Sequence, residues 1–231
     1  MIARRIMAGG TGVRKRQIPG ILAAAALLAS FSSCARPRPQ IAVIPNVPAN
    51  QFAWQAPKHL PDGCAVVSPA AKGEPTDGET PGPVDLTPGR PDPRPQNWSV
   101  EFQIPDEHVK NFRGRIQPRT LKAGASLYRL IGSGANPAGD YWSNLPPPGT
   151  EQQWRTIYAV FSWWNGASCV ERYVVPRHHE LKVWEGTAGP QKDEGRSGYY
   201  LVGGGWQYWI PGSMSQIDSS QIQYAHAPWR R

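Results

Sequence analysis

The chain has 231 residues, with 25 prolines, 24 glycines, 10 tryptophans, 3 cysteines and a formal net charge of +8. Its apolar runs fall short of the ~20 residues that span a bilayer, and no heptad pattern is sustained, which excludes a multi-pass membrane protein and a coiled coil. Residues 1–33 carry five basic and no acidic side chains, so the remainder holds 20 basic against 17 acidic residues. This weak excess, without a Lys/Arg cluster, excludes a dedicated nucleic-acid binder.

The first 33 residues predict a bacterial signal peptide. Three basic residues at 14–16 precede an apolar run at 21–28, and small residues follow before Cys34. The segment Leu-Ala-Ser-Phe-Ser-Ser-Cys that ends there resembles a lipobox, in which the cysteine thiol receives a diacylglyceryl group and becomes the new N-terminus. An ordinary cleaved signal and a retained anchor are the alternatives, since Phe31 stands where leucine is usual.

This signal predicts where the mature protein is found. Lipidation of Cys34 would attach the chain to a membrane of the bacterial cell envelope, whereas an ordinary cleaved signal would secrete it. Ala35 follows Cys34 and is not the acidic residue that resembles an inner-membrane retention signal, which favours the outer membrane.

Two further cysteines, Cys64 and Cys169, follow Cys34 in the mature chain. In an oxidising compartment such a pair typically forms a disulfide, which would stabilise the fold by about 4 kcal/mol because it closes a long loop. Two buried free thiols, or a reactive thiol, are the alternatives. Neither cysteine has a CxxC partner, so the sequence predicts no metal site.

Residues 34–97 predict a Pro-rich tether. The stretch from residue 35 to 118 holds 16 prolines, and runs such as 88–95 favour extended, largely disordered chain over a helix or a central strand. An apolar piece at 41–47 and an alternating piece at 98–104 look more ordered. The second reads as a strand that begins the folded domain or packs on its edge, and we place that domain at 98–231.

The sequence of residues 98–231 indicates a β-dominated α+β domain with one hydrophobic core of modest size. Eight of the ten tryptophans lie between Trp142 and Trp229. A hairpin turn is expected at Asn165-Gly166, and one short helical turn at 150–154. Strands are expected at 156–164, 169–175, 181–186, 199–202 and 206–210.

Common catalytic motifs are absent from the sequence: it has no GxSxG, HExxH or P-loop. The adjacent His178 and His179 would point to opposite faces of a strand and would not bind one metal together. What remains is an ordered series of short motifs. Arg129 ends Leu-Tyr-Arg, a Gly-rich segment ends in Tyr-Trp-Ser at 141–143, and three glycines at 203–205 precede Trp-Gln-Tyr.

This order resembles the ADP-ribosyltransferase-like fold, and within it the NAD-hydrolysing domains of the tuberculosis necrotizing toxin type. The likeness covers residues 120–212. It implies two small packed antiparallel sheets and a toxin that takes NAD as a substrate, with no cofactor. Such a toxin would also have an immunity protein as a partner.

The resemblance implies a role for each residue of the motifs. Arg129 and Gln207 would be catalytic, Arg129 by a bidentate contact with the pyrophosphate and Gln207 by holding a ribose hydroxyl or the attacking water. Ser143 would support the late glutamine, and the glycines would let backbone N–H groups approach the dinucleotide. The residues expected to contact NAD are Arg129, Tyr141, Trp142, Ser143, Trp184 and Trp206, the last two as walls of the pocket.

The late motif has Gln207 without the Glu-x-Glu of many arginine-modifying transferases, which favours NAD hydrolysis over ADP-ribose transfer. The hypothesis predicts that Arg129, Ser143 and Gln207 line one cleft between two sheets. Simpler interpretations stay open. Arg129 could be a structural ion-pair partner, the glycines at 203–205 could form a β-bulge without a ligand, and the tryptophans could belong to the hydrophobic core. The competing functions are an envelope lipoprotein whose Trp-rich domain binds a glycan or a protein, and a purely structural lipoprotein.

Overall fold

The computed structural model describes residues 48–55, 64, 79–132 and 136–230. The predicted signal peptide, the lipidation site Cys34 and the apolar piece at 41–47 lie outside the described residues. Within them the fold is β-dominated, with short helices and two sheets, which confirms the predicted fold class. Among the described residues, no helix has the length and apolar character needed to cross a bilayer.

The described strands and helices are mostly short. The strands are β1 Thr80–Pro81, β2 Arg90–Pro91, β3 Phe112–Leu121, β4 Ser126–Ile131, β5 Tyr141–Ser143, β6 Cys169–Val174, β7 Leu181–Ala188, β8 Gln191–Lys192, β9 Tyr199–Leu201, β10 Trp206–Trp209 and β11 Gln223–His226. The helices are α1 Asp106–Val109, α2 Glu151–Tyr158 and α3 Ser213–Gln216, with 3-10 turns at Ala49–Gln51, Val100–Phe102 and Ser219–Gln221.

The larger sheet has eight strands in the order β11-β6-β4-β5-β10-β7-β3-β2, and the smaller sheet has the order β1-β9-β8. The described strand pairs are antiparallel except for β2 and β3, which run parallel. In the middle of the larger sheet Tyr128 lies opposite Ser143, and Ser143 lies opposite Gln207. Residues in register point to the same face of a sheet, so these three side chains share one face.

Apolar side chains cover both faces of the larger sheet. One face packs against a core that includes Leu127, Ile131 and Tyr208. The face that carries Ser143 and Gln207 is covered by two further clusters, one around Tyr128 and one around Trp184. With both faces covered, a ligand can reach the sheet only where this covering is incomplete.

Packing begins before residue 98, where the sequence predicts the end of the tether. Phe52 is buried, Gln55 forms a β-bridge with Tyr224, and β2 extends the larger sheet. Cys64 and Cys169 form a disulfide with a Cα–Cα distance of 5.4 Å, which confirms the predicted pairing. Parts of the predicted tether therefore belong to the folded unit.

Four predicted strands are confirmed as β6, β7, β9 and β10, but the strand predicted at 98–104 is wrong. That segment forms a 3-10 turn over Val100–Phe102. The apolar residues Trp98 and Ile104, which contribute to the alternating pattern, are buried on either side of this turn. Two prolines, at positions 95 and 105, flank the segment and limit strand pairing there.

The strand predicted at 156–164 is also wrong, because its first residues belong to α2. The Thr150 hydroxyl caps this helix by accepting a hydrogen bond from the Gln153 N–H at 3.3 Å. Ala159 ends it in the left-handed conformation, with φ 51°. The predicted hairpin turn at 165–166 is instead part of a loop, in which the Asn165 amide donates to the Leu130 carbonyl at 2.7 Å.

Candidate functional site

A cavity of about 300 Å³ opens on the face of the larger sheet that carries Ser143 and Gln207. Its floor is formed by β4, β5 and β10, and α2 with the loop that follows it forms one wall. Aromatic rings and side-chain amides dominate the lining. The aromatic residues are Tyr128, Tyr141, Trp142, Trp154, Tyr158 and Trp164, and the amide residues are Asn111, Asn165, Gln191 and Gln207. Among the described residues that line the cavity, none has a carboxylate.

A chain of hydrogen bonds runs along one side of the cavity and centres on the Tyr141 hydroxyl. This oxygen accepts a hydrogen bond from the Asn111 amide at 2.6 Å and lies 2.7 Å from Nδ1 of His108. Burial lowers the pKa of His108 and raises the pKa of Tyr141. The neutral tyrosine can therefore donate its proton to the unprotonated Nδ1, so both groups are satisfied without charge.

Asn111 connects this tyrosine to two glutamines. Its carbonyl oxygen accepts a hydrogen bond from the Gln207 amide at 2.7 Å, and its side-chain oxygen accepts one from Gln191 at 3.1 Å. Gln207 is only 6% exposed, and this bond fixes the plane of its amide. The cavity therefore presents oriented amide groups beside aromatic rings, an arrangement that binds a flat polar ring or a sugar hydroxyl.

Ser143 lies at the floor of the cavity, where its hydroxyl hydrogen-bonds to backbone carbonyl groups. The hydroxyl oxygen is 2.7 Å from the Leu145 carbonyl and 3.1 Å from the Tyr128 carbonyl. A serine hydroxyl has one proton to donate, which these two acceptors share. Ser143 therefore connects β5 and the residues that follow it to β4, and holds the floor of the cavity together.

Arg129 is placed differently from the prediction. It follows Tyr128 along β4, so its side chain points to the opposite face of the sheet from Ser143 and Gln207. There the guanidinium lies 3.3 Å from the Glu171 carboxylate and donates to the Asn136 carbonyl. Arg129 therefore lines the cavity through its strand, and its guanidinium serves as the structural ion-pair partner that the sequence left open.

The surroundings of Arg129 are tightly packed. Gly139 lies so close that a Cβ there would overlap the guanidinium. Glu171 is fully buried, and burial raises its pKa to about 8 even though Arg129 opposes the shift. Trp142 shares this face with Tyr208, and its indole N–H donates to the Gly139 carbonyl at 2.6 Å. Of the two aromatic residues expected to contact NAD at 141–142, Tyr141 has its side chain on the cavity face, and Trp142 lines the cavity through its strand.

The tryptophans predicted to wall the pocket lie elsewhere. Trp184 is fully buried, packs edge-on against Trp98, and donates its indole N–H to the Phe102 carbonyl at 2.7 Å. Trp206 is 38% exposed and does not line the cavity. The wall is formed instead by Trp154 and Tyr158 of α2 and by Trp164 of the following loop. The sequence predicts a short helical turn at 150–154, where this helix begins, but the apolar run after it fits a strand equally well.

The glycines at 203–205 contact the protein itself. The Gly203 N–H donates to the Thr156 carbonyl at 3.0 Å, and the Gly205 N–H donates to the Ile157 carbonyl at 2.7 Å. A Cβ at Gly205 would lie 2.7 Å from the ring of Tyr158. These contacts attach the entry to β10 to the last turn of α2 and so position Tyr158 at the cavity.

Comparison with known proteins found no matching family model and no curated protein of similar sequence. Among solved structures, Tne2 in complex with Tni2 aligns at TM-score 0.37 and 14% identity, over 49% of this chain and 92% of that one. Rhs1-CT in complex with its cognate immunity protein RhsI1 aligns at TM-score 0.30 and 21% identity, over 48% of this chain and 82% of that one. Tse6 in complex with Tsi6 aligns at TM-score 0.25 and 14% identity, over 49% of this chain and 72% of that one. At these TM-scores the likeness defines neither the fold nor the activity of the chain.

Proposed function

We propose that the chain is an exported, toxin-like NAD glycohydrolase that splits nicotinamide from NAD in the cavity described above. One observation carries the proposal. Three residues that the motif order assigns to NAD, namely Tyr141, Ser143 and Gln207, line the same cavity and share one face of the sheet. The aromatic wall beside them suits a flat pyridinium ring, which stacks on such side chains.

The reaction needs no covalent bond between the substrate and the protein. The bond between the ribose C1′ and the nicotinamide nitrogen breaks, nicotinamide leaves with the bonding electron pair, and water adds to C1′ with release of a proton. The transition state resembles an oxocarbenium ion, so positioning and hydrogen bonding supply most of the acceleration. In this proposal Gln207 and Asn111 orient the ribose or the water, and Tyr141 faces the nicotinamide ring.

Arg129 is a positioning residue in this proposal. Through its bonds to Glu171 and to the Asn136 carbonyl it holds the segment before β5 against β4. This segment leads directly into Tyr141. The role fits the described position of the guanidinium, whereas direct contact with the pyrophosphate would require it to leave the buried Glu171 carboxyl group without its partner.

Export of the protein is part of the proposal. The N-terminal signal and the Cys64–Cys169 disulfide both suit an oxidising compartment. Because NAD is held in the cytosol, an exported NAD glycohydrolase would act after delivery into another cell. We further propose that the producing cell protects itself with an immunity protein and that Cys34 anchors the chain in the envelope before delivery.

The test is nicotinamide release by the purified full chain, with Cys34→Ser to keep it free of lipid. We expect nicotinamide and ADP-ribose in equal amounts. Gln207→Met removes the amide at similar side-chain size and should abolish turnover, whereas Gln152→Met, at an exposed position of α2, should not. Folded protein that leaves millimolar NAD intact would overturn the proposal, and release of nicotinamide without free ADP-ribose would indicate transfer to an acceptor.

A further inference from the structure

Cys64, Cys169 and His226 bring together two sulfur atoms and an imidazole. Their potential ligand atoms all lie within 4.8 Å of one another. Cys169 begins β6 and lies directly opposite His226 at the end of β11, so both side chains point to the same face of the sheet. The two cysteines are buried and His226 is exposed. The cluster is thus built into the end of a strand pair and is open to solvent on one side.

In the oxidised protein the sulfur atoms are bonded to each other and do not bind a metal ion. A dithiol reductant changes this: the S–S bond breaks, the protein takes up two electrons and two protons, and the reductant is oxidised to its own disulfide. The thiols then stay near each other. Cys169 is held in the β6 ladder, and the Cys64 carbonyl accepts a hydrogen bond from the buried Ser168 hydroxyl at 2.7 Å.

We propose that the reduced protein binds Zn²⁺ through Cys64, Cys169 and His226. Thiolate sulfur and imidazole nitrogen are the donors that zinc prefers, and three protein ligands leave a fourth position for water. Each cysteine loses its thiol proton to the solvent when the metal binds. Exposed His226 provides the entry path. This inference concerns a different part of the molecule from the cavity and does not depend on NAD cleavage.

The site would preserve a connection that the disulfide makes in the oxidised protein. The two cysteines are separated by 105 positions in sequence, so either link closes a long loop. Metal bound to the folded form and not to the unfolded chain stabilises the folded form. A chain that passes from an oxidising to a reducing compartment would thus exchange a covalent link for a metal link at the same place.

The test uses the full chain with Cys34→Ser, reduced by dithiothreitol and then freed of it without air. Co²⁺ serves as the spectroscopic probe, and Zn²⁺ is titrated in competition with a chromophoric chelator. The reduced protein should bind one Co²⁺ with the thiolate charge-transfer and intense visible bands of a tetrahedral sulfur site, and the oxidised protein should show neither. His226→Asn should weaken Zn²⁺ binding at least about tenfold, because one of three protein ligands is lost. His178→Asn is the matched control and should bind Zn²⁺ as the parent does.

Two results obtained with folded protein would overturn the proposal. One is a reduced protein with no thiolate charge-transfer band, and the other is His226→Asn binding Zn²⁺ as tightly as the parent. If reduction alone unfolds the chain, the proposal requires Zn²⁺ to restore its circular dichroism spectrum. Failure of Zn²⁺ to do so would overturn it as well.

Discussion

Arg129 and Glu171 lie opposite each other on β4 and β6, and their side chains meet 3.3 Å apart on the face of the sheet that faces away from the cavity. Glu171 is fully buried, and one of its carboxylate oxygens has no hydrogen-bond partner among the described residues. Burial of a carboxylate without full hydrogen bonding favours its protonated form. This pair therefore links the stability of the sheet to pH.

We expect the free energy of unfolding to fall as pH rises from about 4.5 to about 8. Burial raises the pKa of Glu171 from 4.5 to about 8, so across this range the folded protein keeps a proton that the unfolded chain releases. The stabilisation from Glu171 is complete below about pH 4.5 and is lost as the pH rises through about 8. Glu171→Gln should remove this slope, as measured by urea unfolding at several pH values. Glu180→Gln, at an exposed position, should retain it, and an unchanged slope in Glu171→Gln would contradict the assignment.

Loss of the disulfide should lower the free energy of unfolding by about 4 kcal/mol, because the unfolded chain regains the freedom of a long loop. The measurement compares the Cys64→Ser/Cys169→Ser double variant with the parent by denaturant unfolding in the absence of added metal. Cys34→Ser alone is the control and should change little. Equal stability of the double variant and the parent would mean that the link contributes nothing to the fold.

Tyr141→Phe should reduce nicotinamide release strongly while the protein stays folded. The substitution removes the hydroxyl that joins His108 to the Asn111 amide, and a hydrogen-bonding group left unpaired in a part-buried site costs about 1–3 kcal/mol. We expect the Asn111 side chain, which also accepts a hydrogen bond from Gln191, to lose its fixed orientation at the cavity. Tyr200→Phe, on β9 and away from the cavity lining, is the control for removal of a hydroxyl. Full activity in Tyr141→Phe would exclude this hydroxyl from the mechanism.

Gly205→Ala should destabilise the protein by about 1–3 kcal/mol, because overpacking forces neighbours to move. The added Cβ would lie 2.9 Å from the Ile157 carbonyl oxygen, which has little freedom to shift. Tyr158 would be displaced as well, so nicotinamide release should fall with stability. Gly149→Ala places its Cβ in open space and serves as the control in thermal unfolding. Equal melting temperatures for the two variants would show that the close approach at Gly205 is not needed.

The strands of the second half of the domain could be predicted because their signals are local. Alternation and β-branched or aromatic residues mark β6 and β7, and the glycines mark the approach to β10. The run at 156–164 misled the prediction because its apolar residues fit a strand and a buried helix equally well. Only the distant contacts of α2, such as those with Gly203 and Gly205, decide between the two.

The candidate site was predictable in part for a related reason. Motif order identified Tyr141, Ser143 and Gln207, which the register of β5 and β10 brings side by side. The face to which Arg129 points depends on strand register, and a shift of one residue reverses it. Asn111 and His108 carry no motif at all. Their place at the cavity arises from the approach of α1 and the start of β3 to β5, which no local pattern records.

The hydrogen bonds from Gly203 and Gly205 to the end of α2 have a consequence for how a ligand arrives. Because helix and sheet are joined there through backbone groups, an outward movement of the last turn of α2 would break both bonds. Arg155 of this helix also donates to the Asn165 carbonyl of the following loop. Trp164 on that loop lines the cavity and is 51% exposed, so we expect the size of the side chain at this position, rather than movement of the helix, to limit how large a substrate the cavity admits.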